Sequence, residues 1–137
     1  MTNCGAQPAV DLAVTAAEAV RGLNHHTLGR HALSEPAELD RIVAELATMA
    51  QGLPQLITQL SSWLNAEHDA GRIGSDDDLD EALVVDRAVA QLAAGRHAAH
   101  ELGQFLDNAR QQLAHLQTRS TSQQLKQVSH DGHADDR

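Results

Sequence analysis

Three residues, His97, His100 and Glu101, have the types and spacing of a metal-ligand set. On a helix, positions i, i+3 and i+4 share a face, and zinc accepts two imidazoles and a carboxylate with water as fourth ligand. The order His-x-x-His-Glu is not the His-Glu-x-x-His of zinc metalloproteases. Leu92 and Ala99 take the apolar positions of this stretch, which turns the trio outward among Ala93, Gln104 and Asp107. An exposed trio without outer hydrogen-bond partners binds metal weakly. These three are the foremost metal candidates, and no tight metal site is expected.

Other reactive residues carry less. His25, His26 and His31 lie on a stretch without period and read as polar linker residues, with metal ligands or a pH-sensitive contact as the alternatives. His130 and His133 fall in a polar C-terminal stretch. Asp76-Asp77-Asp78 with Asp80 and Glu81 lacks the alternating acids and turn glycine of a calcium loop, and fits the start of a helix instead. Cys4 is the single cysteine, so no internal disulfide is available. No serine has a Gly-x-Ser-x-Gly setting, and there is no glycine-rich phosphate loop. No catalytic residue and no cofactor is assigned, and the chain reads as non-enzymatic.

Composition bounds the rest. In 137 residues, 42% are hydrophobic, yet Trp63 and Phe105 are the only large aromatics. There are 19 acids against 10 bases, for a net charge of −9. The excess acid lies in residues 35–118, while both ends are balanced. Nucleic acid and anionic membranes attract clustered Lys and Arg, so neither is expected as a direct partner. No apolar run approaches the ~20 residues of a membrane span. Met1–Gly5 lacks the basic start of a signal peptide, and a cytoplasmic location is expected.

The elements that must position these residues are helices. Val10, Ala13, Val14, Ala17 and Val20 mark a first helix over about 9–23. Ser34 reads as an N-cap with Pro36 in the first turn. Leu39, Ile42, Leu46, Met49, Leu53, Leu56, Leu60 and Trp63 then follow at alternating spacings of three and four, a heptad seam over about 36–70. Gly52 and Pro54 interrupt it in mid-pattern, and a kink or break near Pro54 is expected. Ser75 and the acids after it signal a helix over about 77–117. Its seam is Val85, Ala88, Leu92, Gly95, Ala99, Leu102, Leu106, Ala109, Leu113 and Leu116.

The fold class that follows is all-α: a long antiparallel two-helix hairpin plus the N-terminal helix, in one bundle domain over 9–118. Residues 1–8 read as a flexible start and 119–137 as a disordered tail. Facing the two seams pairs Trp63 with Val85, Leu60 with Ala88, Leu56 with Leu92 and Leu53 with Gly95. Gly95 then becomes the tight point opposite the bend at Pro54. The N-terminal helix would cover one side, with Phe105 as its contact.

Two stretches, Glu18-Ala-Val-Arg-Gly-Leu-Asn-His-His-Thr27 and Glu45-Leu-Ala-x-Met-Ala-x-Gly-Leu-Pro-Gln55 running on to Ser62-Trp63-Leu64, resemble small uncharacterised helical proteins of actinobacteria, some of them associated with mobile elements. The resemblance spans about 16–118 and implies no activity. The function expected is a protein–protein interaction or assembly module, with the chain itself as one partner in a homodimer. The alternative is a small acidic regulatory or decoy protein that binds a basic partner, such as a DNA-binding protein, and a third, less favoured reading is a metal-dependent activity at His97, His100 and Glu101. Trp63, Phe105, Leu113 and Leu116 are the expected interface residues.

Overall fold

The computed structural model describes residues 7–76 and 79–116. Three helices are present, α1 (Pro8–His26), α2 (Pro36–Asp69) and α3 (Glu81–Leu113), and no strand occurs among the described residues. The chain divides into two units, residues 1–35 and 36–137. The expectations for residues 1–6, which include Cys4, and for Asp77, Asp78 and the tail from 117, with His130 and His133, lie outside the described residues.

In the first unit, α1 starts with Pro8 at its first position, where a missing amide hydrogen is harmless. It continues to His26, past the expected end near 23. Polar side chains close its last turn: the Thr27 hydroxyl donates to the Leu23 carbonyl at 2.7 Å, and His26 Nδ1 lies 2.8 Å from the Gly22 carbonyl oxygen. None of its residues is buried.

In the second unit, α2 and α3 pack against each other as the expected hairpin. α2 runs from Pro36 to Asp69 as one helix with Pro54 inside it, so the proline does not divide the element. α2 ends where Gly71 takes a left-handed φ of 70°. The Arg72 amide donates to the Glu67 carbonyl and the Gly71 amide to the His68 carbonyl, both at 3.0 Å. These are the paired bonds of a Schellman ending. The Arg72 guanidinium adds a two-pronged bond to the Glu67 carboxylate, both at 2.7 Å. α3 starts later than expected. Its N-cap is Asp80, whose carboxylate accepts from the Ala82 amide at 3.1 Å. Ser75 is not the cap, and α3 ends at Leu113 rather than near 117.

The face along which the helices meet differs from the expected seam. On α2 the inward positions are Val43, Ala47, Ala50, Pro54, Ile57, Ser61 and Leu64. Each lies one residue past the expected Ile42, Leu46, Met49, Leu53, Leu56, Leu60 and Trp63. On α3, Val85, Leu92, Ala99, Leu106 and Leu113 keep their expected place, but buried Gly103 replaces Leu102. The buried residues are therefore small: Ala47, Ala50, Val85, Ala99 and Gly103. Small side chains let the two backbones approach, and the dispersion gained in close contact favours that face for a two-helix pair.

The register moves as well. A side chain at Gly103 would meet Ala50 and Gln51, and one at Gly95 would meet only the Ile57 Cδ1 atom, at 4.0 Å. Gly95 thus sits about one turn from its expected partner Leu53. It is exposed and is not the tight point. The later start of α3 accounts for the shift, because a longer connection moves every level of the hairpin together.

Candidate interaction surface

The one-residue rotation has a direct geometric result. Residues just after the inward positions of each helix share one side of the hairpin: Gln51 follows Ala50 and donates at 2.9 Å to Asp107, which follows Leu106. Arg96 donates to the Thr58 hydroxyl at 3.2 Å on that same side. Gln55, Ser62, Asn65, Asp86 and Gln104 occupy it too, and it is polar. Residues just before the inward positions must then share the opposite side. There α2 presents Leu39, Ile42, Leu46, Met49, Leu53, Leu56, Leu60 and Trp63. α3 presents Val84, Ala88, Gln91, Gly95, Ala98, Leu102, Phe105, Ala109 and Gln112, and Leu116 just past the helix end continues the series. No charged residue lies among them.

This side is open. Trp63 is 62% exposed, Phe105 69% and Leu116 59%. Leu39, Met49, Leu56, Leu60, Val84 and Leu102 are also exposed, while Ile42, Leu46 and Leu53 are half-buried at the rim of the contact between the helices. Monomeric soluble domains seldom leave a contiguous apolar patch of this extent uncovered. Of the four interface residues expected from sequence, Trp63, Phe105 and Leu116 lie on this face. Leu113 is half-buried between the helices.

The histidine trio lies elsewhere. His97 Nε2 stands 3.4 Å from Glu101 Oε1, and both side chains are largely in solvent. His100 Nε2 is 3.3 Å from Gln104 Nε2. Each imidazole is thus paired along its own helix rather than aimed with the other at a common point. Among the described residues no group of three or more His, Cys, Asp and Glu is gathered as metal ligands. His25 and His26 stack edge to face at 5.7 Å, at the end of α1 instead of on a linker. A small hollow at the hairpin turn is lined mainly by Leu64, Ile73, Val84, Val85 and Ala88, with Ser75 and Glu81 as its polar members. The Arg72 guanidinium holds the Glu67 carboxyl below its ordinary value, and Glu67 raises Arg72 in return.

Sequence reasoning found the large apolar stripe of each helix and missed the second stripe beside it. The signal was present as adjacent apolar pairs: Ile42-Val43, Leu46-Ala47, Met49-Ala50, Leu56-Ile57 and Trp63-Leu64. A strict heptad seam is the mark of one partner helix, whereas a sector this wide belongs to a helix with two neighbours. Comparison with protein-family models, curated proteins and solved structures finds no match. No helix among the described residues is long and apolar enough to cross a membrane.

Proposed function

We propose that this protein is a non-enzymatic interaction and assembly module whose binding surface is the uncharged face of the α2–α3 hairpin. The observation that carries the reading is the uninterrupted row from Leu39 to Trp63 on α2, beside Leu102 and Phe105 on α3, exposed on the same side. Removing apolar surface from water contributes ~25 cal/mol per Å², so a row of half-exposed Leu, Met, Trp and Phe side chains is a large reserve of association free energy. Trp63 and Phe105 are suited to act as anchors, since large aromatics on a desolvated patch contribute most to binding. The acidic residues lie off this face and serve solubility.

The test is affinity capture with three forms of the chain: wild type, Leu60→Glu with Phe105→Glu on the apolar face, and Gln55→Glu on the polar face. A protein held by wild type and by Gln55→Glu, but released by the apolar-face variant, supports the reading; another copy of the chain counts as such a protein. If all three forms hold the same proteins, or none holds any, the apolar face is not a binding surface. Capture that fades with added salt and survives the apolar-face changes would favour the acidic, basic-partner alternative.

A further inference from the structure

We infer that the occupant of the apolar face is a second copy of this chain, joined face to face by a two-fold axis parallel to the hairpin, so that four long helices form one antiparallel bundle. This rests on the interaction-module reading and names its partner.

Size is the first argument. The row from Leu39 to Trp63 runs for about 36 Å at 1.5 Å per residue, and two helices side by side are about 20 Å wide, so the face offers roughly 700 Å². A standard stable interface takes about 800 Å² from each partner, and another hairpin has the same length and width. The second argument is the two apolar stripes on α2. The stripe of small residues faces α3, and the stripe of large ones needs a further helix at its side. In a four-helix bundle every helix has two such neighbours.

The third argument is shape. Rotation about an axis along the hairpin leaves each residue at its own level and lays α2 of one copy over α3 of the other. The observed contacts set the levels: Ala50 and Gln51 with Gly103, Ile57 with Gly95, Thr58 with Arg96. On the apolar face, Leu60 therefore falls opposite Gly95, Leu56 opposite Ala98 and Leu46 opposite Ala109, while Trp63 falls opposite Gln91 and Ile42 opposite Gln112. Large meets small at the first three of these levels, and the end levels pair a large apolar side chain with an uncharged glutamine. Met49 with Phe105 and Leu53 with Leu102 form the bulky centre. Such alternation is what lets facing layers interdigitate without voids. The absence of charge on the face means that the symmetric pairing brings no carboxylates together, although each chain carries a net −9. The contact is isologous and closes on itself, so it ends at two copies.

The experiment is sedimentation of the full chain at micromolar concentration, with a cross-linking arm. Wild type should have close to twice the chain mass of 14.7 kDa. Leu56→Glu and Phe105→Glu should each shift it to a single chain, and Ala93→Glu on the polar side should leave it double. A second arm keeps the face variants' effect on folding apart from their effect on pairing: Cys4→Ser chains carrying Trp63→Cys are mixed with Cys4→Ser chains carrying Gln91→Cys and mildly oxidised. A disulfide joining the two kinds of chain on a non-reducing gel is expected, and its absence would overturn the pairing. The proposal is also overturned by three other results: a monomeric wild type whose Trp63 fluorescence is open to acrylamide, a monomer whose Trp63 is shielded by its own chain, and a dimer that survives both face variants. Only the first leaves the face free, and then the capture experiment decides the interaction reading on its own.

Discussion

Single residues register the packing most directly. Gly103 is buried, and a Cβ placed on it would lie 3.4 Å from the Gln51 Cγ atom and 3.8 Å from the Ala50 Cβ. Gly103→Leu therefore overpacks the contact and should cost about 1–3 kcal/mol. Gly52, inside α2, has nothing within 4 Å of its added Cβ, so Gly52→Ala should stabilise by up to about 1 kcal/mol through helix propensity. Thermal melts of the two variants should move in opposite directions, and a Gly103→Leu protein that melts higher than wild type contradicts the register. The Glu67–Arg72 fork gives a pH signature. The folded-state pKa of Glu67 is lowered from 4.5, so its stabilising effect is present at neutral pH and fades as pH falls through that lowered value. Glu67→Gln should lower the melting temperature at neutral pH, with the gap to wild type closing in acid. A gap that stays constant down to the acid limit would mean the fork adds no stability.

At the scale of elements, caps decide where each helix begins and ends. α3 begins at the residue after Asp80, whose carboxylate accepts from the Ala82 amide of the first turn, although five acids crowd positions 76–81. Asp80→Ala should cost about 1 kcal/mol, and Asp80→Asn should recover most of it, since the amide oxygen accepts the same bond. Equal melting temperatures for Asp80→Ala and wild type would move the cap elsewhere. α2 tolerates Pro54 because a 34-residue helix packed along its length against α3 can lose one ladder bond and hold its course. The proline falls on the face toward α3, where its ring adds packing in place of the missing hydrogen bond.

For the whole molecule, the hairpin buries little and exposes much. Its buried residues are alanine, valine and glycine, Leu64, Leu92, Leu106 and Leu113 are half-buried between the helices, and Leu39, Leu56, Leu60, Leu102, Trp63 and Phe105 are exposed. A core of that size supplies little of the ~5–15 kcal/mol that holds a typical domain folded. If the chain pairs as proposed, folding and assembly are coupled, and the melting temperature should rise with protein concentration, as mass action requires of a linked dimer. A melting temperature independent of concentration would separate the two events and argue for a self-sufficient monomer. Circular dichroism should meanwhile report an almost purely helical spectrum.

Number, type and approximate extent of the helices were legible in the residues, because three-and-four spacing, the Pro36 start and the Gly71 stop are local properties. The absence of charge along Leu39–Trp63 was legible too. Which stripe meets the other helix was not. Moving the seam by one residue turns the helix by 100° and keeps the same alternation of three and four, so periodicity cannot separate Met49 and Trp63 from Ala50 and Leu64. That choice follows from how closely Ala47, Ala50, Ala99 and Gly103 let two backbones approach, and from the length of the connection before Asp80, which sets the level at which they meet. Both involve residues some fifty positions apart along the chain, and only the tertiary structure brings them together.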